Sequence, residues 1–248
     1  MQLLQRSAAL YTQFPYGDFD YNRAAIYEDS LLYKHARKLT PAATVYDVGC
    51  GQGFVLEFLR SRVPCQARGI DFSPTALAAC RVKGLNVMEG NNLDLPLPDG
   101  VSDYTISNGV VHHTPDPRKS FRELVRITRP GGAVYLSVYN RNFFYYPLYL
   151  LTKPLRWLYG RAPSLVMRLL FPFFYFLFLI PVFWVVRGET IGQATGRTWF
   201  ADLFLTPQAT FHTPSEIEGW IREAKGFLLE FRVEKRGAML SFLFQKPR

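Results

Sequence analysis

The chain has 248 residues, 48% of them hydrophobic, enough for one large domain or a domain with an elaborated insert. Its three cysteines, Cys50, Cys65 and Cys80, form no C-x-x-C pair, which speaks against a disulfide framework or a zinc site and for a reducing compartment. Most of the net charge of +9 comes from Leu124 to Gly188, where no Asp or Glu accompanies Arg126, Arg129, Arg141, Lys153, Arg156, Arg161, Arg168 and Arg187.

Residues 1–40 read as a mostly helical cap, broken by the aromatic, turn-rich stretch Tyr11 to Gly17. Met1 to Tyr11 holds no apolar run long enough for a secretory leader, so a cytoplasmic location is expected. Thr44 to Val48 is apolar in the manner of a strand buried on both faces of a parallel sheet, and a helix from Phe54 to Arg62 follows a glycine turn. A second strand covers Ala67 to Ile70. Ser73 and Pro74 then supply an N-cap and a first helical residue. Short strands are expected near Asn86 to Met88 and Tyr104 to Ser107. The helix Pro117 to Thr128 places Phe121, Leu124, Val125 and Thr128 on one face, Pro130-Gly131-Gly132 stops it, and Ala133 to Tyr139 is a fifth strand. Near the end, Thr213-Pro214-Ser215-Glu216 is a capping box, and Phe227 to Glu234 and Ala238 to Gln245 alternate as a hairpin.

The densest chemical signal is Asp47-Val48-Gly49-Cys50-Gly51-Gln52-Gly53, followed about twenty residues later by Asp71 at the end of the second strand. Glycines at such a turn let backbone approach a ligand, and a carboxylate after the next strand can chelate two ribose hydroxyls. A dinucleotide fold would aim a helix N-terminus at a pyrophosphate, which Asp47 would repel. A ligand carrying an ammonium and a sulfonium suits that carboxylate. On these residues, on Glu89 to Gly100, on Ser107 to His113 and on Arg129 to Gly132, the chain resembles the class I SAM-dependent methyltransferases over roughly residues 40–140.

The resemblance implies an α/β, Rossmann-like seven-stranded sheet with helices on both faces and an antiparallel last strand, here with a helical apolar insert. The expected organisation is an N-terminal cap (1–40), a SAM-binding core (41–140), the insert (141–212), and a C-terminal helix and hairpin (213–248) that complete the core. S-adenosyl-L-methionine is the implied cofactor and S-adenosyl-L-homocysteine the product; no metal is expected. Carried over by motif, Asp47 lies near the methionine end, and Gly49, Cys50, Gly51 and Gly53 form the cradle. Asp71 holds the ribose, and Phe72 packs on the adenine. Asn91, which stands where family members usually have Asp, and Asn92 lie along the adenine edge. Asn108 and Gly109 pass close to the sulfonium. His113 and His212 are the candidate bases, with a structural ring the commoner role for His113. Tyr11, Tyr16, Tyr139, Tyr145, Tyr146 and His212 are candidates to line an acceptor site.

About seventy residues separate the fifth strand from the Pro214 helix, far more than an ordinary connection. Leu169 to Val186 is apolar without interruption, near the lower length limit for a spanning helix. A single crossing would strand the final hairpin on the wrong side of the bilayer, and Pro172 and Pro181 are expected to break the segment. What remains is a buried cap, an in-plane element on a membrane's inner face, or the wall of a pocket for a long apolar substrate. The expected activity is methylation of a small, largely apolar or lipid-like acceptor. The alternatives are an RNA or protein methyltransferase, or a SAM-binding membrane-surface protein without turnover. Nucleic acid is the weaker option because the basic residues are diluted by Phe and Leu. Oligomeric state has no signature.

Overall fold

The computed structural model describes Leu10 and residues 27–187, 190–234 and 237–248, with backbone alone at 186 and 187. Tyr11, Tyr16 and the hairpin tip at Lys235 and Arg236 lie outside the described residues. The chain divides into two compact units. The larger comprises Asn22–Phe143 and Ala209–Arg248; the smaller contains Phe144–Gln208 and Leu10. The insert is therefore narrower than expected: residues 141–143 and 209–212 belong to the larger unit.

In the larger unit the elements are α1 (Leu31–Ala36), β1 (Thr44–Val48), α2 (Phe54–Arg62), β2 (Gln66–Asp71), α3 (Pro74–Val82), β3 (Val87–Glu89) and β4 (Ser102–Asn108). They are followed by α4 (Pro117–Ile127) and β5 (Thr128–Tyr139). The strands, with β6 (Phe227–Glu234) and β7 (Met239–Gln245), form one seven-stranded sheet in the order β3-β2-β1-β4-β5-β7-β6. Strands β1 to β5 pair in parallel, and β7 runs antiparallel to both β5 and β6. Strand alternation sorts the core into two layers. Tyr46, Val48, Val134, Leu136, Val138, Phe242 and Phe244 pack with Phe121, Leu124 and Ile127 of α4. Val45, Tyr104, Ala133, Tyr135 and Leu243 face the other way, onto Leu31, Leu32, Val55 and Leu59 of α1 and α2.

The expected caps form: the Ser73 hydroxyl accepts from Ala76 N–H, and that of Thr213 accepts from Glu216 N–H. One boundary differs. β5 begins at Thr128, directly after α4, because Thr128 pairs with Ser102 before an irregularity shifts the register to Tyr104 and Ala133. A buried hydroxyl pair, Thr105 with Thr128 at 2.6 Å, holds this early start. Pro130-Gly131-Gly132 is thus a bulge within the strand rather than a stop ahead of it.

The smaller unit is helical: α5 (Tyr145–Leu151), α6 (Lys153–Tyr159), α7 (Pro163–Val185) and α8 (Gln193–Phe200), the last running on through a π-turn at Ala201–Leu205. Pro172 and Pro181 do not break α7. Each follows a π-turn, Val166–Leu170 and Tyr175–Leu179, whose wider winding accommodates a residue that has no N–H to donate. Val166, Phe171, Tyr175 and Leu179 of α7 pack with Phe200, Phe204 and Leu205, and the Tyr175 hydroxyl donates to the Ile191 carbonyl at 2.5 Å.

Past the end of β7, the Lys246 ammonium donates to the carbonyls of Val125 (2.9 Å) and Thr128 (2.7 Å), capping the end of α4 with a cation. Lys246→Met should lower unfolding free energy by about 1–2 kcal/mol in denaturant titrations and leave cofactor affinity unchanged, because it unties only this cap.

Candidate functional site

The site is built where β1, β2 and β4 end. The turn after β1 carries three left-handed glycines with different neighbours: Gly49 (φ +82°), Gly51 (φ +51°) and Gly53 (φ +82°). A Cβ on Gly49 would sit 2.4 Å from Val110, and one on Gly53 would sit 2.4 Å from Leu85 and 2.9 Å from Cys80 Sγ. On Gly51 it would meet nothing within 4 Å. The flanking glycines are thus required by packing, whereas the central one borders open space of the kind a bound ligand fills.

Asp71 shapes this cradle from β2. Its carboxylate accepts from Gly51 N–H at 2.7 Å and Ser73 N–H at 2.8 Å and keeps acceptor capacity for a further donor. Burial pushes its pKa up, opposed by the backbone N–H groups of Ser73, Gly51 and Phe72. Asp47 is more extreme. It is 2% exposed, no hydrogen bond reaches its carboxylate from the described residues, and its pKa rises to about 8 through burial first, then through Asp71 and Cys80. A buried carboxyl that no described residue hydrogen-bonds, beside a second carboxylate, suits a cationic ligand.

The remaining expected residues take separate places. Cys50 is buried, and the thiol of Cys80, which the motif does not include, donates to Gly51 O at 3.2 Å and supports the turn from below. Phe72, Asn92, Asn108 and Gly109 are half-buried at the loop ends. Asn91 Oδ1 accepts from Leu93 N–H at 2.9 Å, so the amide shapes its own loop and one lone pair is left for an adenine.

The histidines and tyrosines divide in a way the sequence does not show. His113 lies in the 3₁₀ turn Val111–His113, edge-on to Tyr139 at 5.3 Å. His212 has both ring nitrogens engaged, Nε2 with Thr210 Oγ1 (2.9 Å) and Nδ1 with Glu216 (3.0 Å), and its pKa is lowered chiefly by burial. The backbone N–H of His212 donates to Tyr139 O at 2.9 Å, and that of Thr210 donates to His112 O at 2.8 Å. His212 and Thr210 thereby clamp the returning chain to the end of β5 and to the turn after β4. Tyr145 is also structural: it is buried in the smaller unit, where its hydroxyl donates to Asp202 O (3.0 Å). Tyr139 stacks on Phe211, and Tyr146 is half-buried.

A sheet in this strand order with an acidic-x-G-x-G-x-G turn and a carboxylate ending β2 defines the class I methyltransferase architecture. Residues 46–136 match the methyltransferase domain family, so this part of the chain is a domain of the class I SAM-dependent methyltransferase kind, whose cofactor is S-adenosyl-L-methionine. It is 33% identical over 144 residues to an uncharacterized methyltransferase of a Mycobacterium species, covering 54% of this chain and 57% of that one. It is 37% identical over 103 residues to rice 2-methyl-6-phytyl-1,4-hydroquinone methyltransferase 2, covering 40% of this chain and 28% of that one. To the mouse protein named probable tRNA methyltransferase 9B it is 33% identical over 111 residues, covering 42% and 24%. The chain thus spans little more than half the length of the first of these relatives and less of the others. In fold it is similar to a SAM-dependent methyltransferase of Methanosarcina mazei (TM-score 0.55, 18% identity, 88% and 98% covered). It is similar also to the [4+2]-cyclase SpnF (TM-score 0.60, 14% identity, 99% and 95% covered).

Two glycine substitutions should separate cradle from packing. Gly51→Ala should fold with a loss of about 1–2 kcal/mol from the left-handed backbone and bind the cofactor about tenfold more weakly in calorimetry. Gly53→Ala should lose about 2–4 kcal/mol of stability, since strain and a clash with Leu85 add.

Asp47 carries a pH prediction. Its folded pKa lies above the ordinary 3.8, so its contribution to stability is present below 3.8 and is lost as pH rises toward about 8. A cationic ligand prefers the ionised carboxylate, so cofactor affinity should rise over the same window. Asp47→Asn should flatten both slopes in paired melting and calorimetric series and stabilise the ligand-free protein at the alkaline end by about 1–3 kcal/mol.

Proposed function

We propose that the chain transfers a methyl group from S-adenosyl-L-methionine to a small, largely apolar, lipid-like acceptor. The observation that carries the acceptor class is the smaller unit: an aromatic helical insertion whose stems, Asn140 and His212, pair just past the end of β5. Relatives named for a phytyl hydroquinone and for tRNA match over 103 and 111 residues, less than half of this chain, so acceptor choice is expected to rest on the part they do not share. The hydroquinone relative fits the apolar reading.

Bound in the cradle, the cofactor supplies a methyl carbon already activated by the positive charge on its sulfur. The chain's own residues hold and orient. The Gly49 to Gly53 backbone would cradle the cofactor, Asp71 would take the ribose hydroxyls, and Phe72, Asn91 and Asn92 would border the adenine. Asp47 would offset positive charge, and Asn108 and Gly109 would hold the methionine end. Positioning of this kind supplies roughly 7–11 kcal/mol, so a strong acid or base is not required.

Incubation with methyl-labelled cofactor and a cell extract should put label into the organic-soluble fraction. Label confined to RNA or protein, or found in no fraction, would overturn the acceptor reading. Asp71→Ala should bind the cofactor about 10–100-fold more weakly by calorimetry while retaining its fold; unchanged binding would sink the cofactor role given to Asp71.

A further inference from the structure

The smaller unit carries a surface that a water-facing helical domain does not. α7 is 23 residues long, and only 22% of its most apolar window is buried. One side, through Val166, Phe171, Tyr175 and Leu179, already fills the unit's core. Leu169, Phe173, Phe176, Leu177 and Trp184 are 58–65% exposed, where an amphipathic helix would be polar. Leu151 and Trp157 add exposed apolar area from α5 and α6.

Charge says what covers this surface. Among the described side chains of the unit the acidic one is Asp202, which is buried, against Lys153, Arg156, Arg161, Arg168 and Arg197. Arg156 lies over the Tyr149 ring at 3.7 Å and Arg161 over Trp157 at 3.9 Å, which places cations beside amphipathic rings. Two copies meeting through this face would bring like charges together, whereas anionic headgroups complement them.

Topology says how deep the contact goes. The chain leaves after β5 and returns at His212, which pairs with Asn140, so both ends are tied to one edge of one sheet. A crossing by α7 would need a return leg of equal reach. The leg available, eight-residue α8 and its five-residue continuation, measures about 20 Å at about 1.5 Å per residue, against about 30 Å of hydrocarbon.

We infer that the smaller unit seats the protein on an anionic membrane surface, with α7 lying in the interface plane rather than spanning it. This does not rest on the acceptor reading, and the vesicle assay contains no cofactor. The full chain is mixed with phosphatidylcholine vesicles, with and without phosphatidylserine, and sedimented; tryptophan emission is read against brominated lipid in parallel. Sedimentation with the anionic vesicles and quenching that Trp184→Phe reduces are expected. Phe173→Ser combined with Trp184→Ser should weaken vesicle binding about tenfold or more, with the melting temperature and cofactor affinity held as checks on folding. Arg161→Glu with Arg168→Glu should abolish the preference for phosphatidylserine. Absence of sedimentation with either vesicle, or concentration-dependent dimers that the Ser variants dissolve while vesicles are ignored, would overturn the inference.

Discussion

The larger unit depends on one constraint: β1 must pair in parallel on both sides, with β2 through Asp47↔Gly69 and with β4 through Asp47↔Ile106. That register makes β1 the strand from which the sheet is built outward in both directions, and ligands of open α/β sheets bind where such directions diverge. With β1 so held, the glycine turn, the Asp71 carboxylate and the loop after β4 converge on one edge. Helices on the two faces do not choose that edge; they cover the sheet that creates it.

The same arrangement carries a local cost. Asp47 sits in the most enclosed strand of the sheet, near a second carboxylate and without a hydrogen-bonding partner from the described residues. A sequence selected for stability alone would place an apolar residue or a paired amide there. The cost becomes intelligible only if the fold is completed by something positively charged, and the family cofactor has that character.

Much of this was legible in the sequence because its determinants are local. The glycine turn, the capping hydroxyls of Ser73 and Thr213 and the alternating final hairpin each depend on a few neighbouring residues. What was not legible depends on partners distant in the chain. Pro172 and Pro181 read as breaks, yet the helix survives through π-turns favoured by packing against Phe200 and Phe204. Thr128 joins β5 because its hydroxyl pairs with that of Thr105, far from it in sequence. His212 reads as a candidate base, yet its backbone N–H is tied to the carbonyl of Tyr139, far earlier in the chain. Tyr145 likewise depends on carbonyls nearly sixty residues away.

The clamp formed by Asn140, His212 and Thr210 has an evolutionary consequence. Because the stems are fastened before the insertion begins, the sheet's register is insulated from whatever lies between Phe144 and Gln208. The entropic penalty of closing a flexible loop grows only logarithmically, about 0.6 kcal/mol per doubling of its length. A gene could therefore lengthen, shorten or replace the intervening segment with little change in the sheet's folding energetics. Lineages that share this core are then free to diverge in what they hang from it, keeping the chemistry while trading one environment for another.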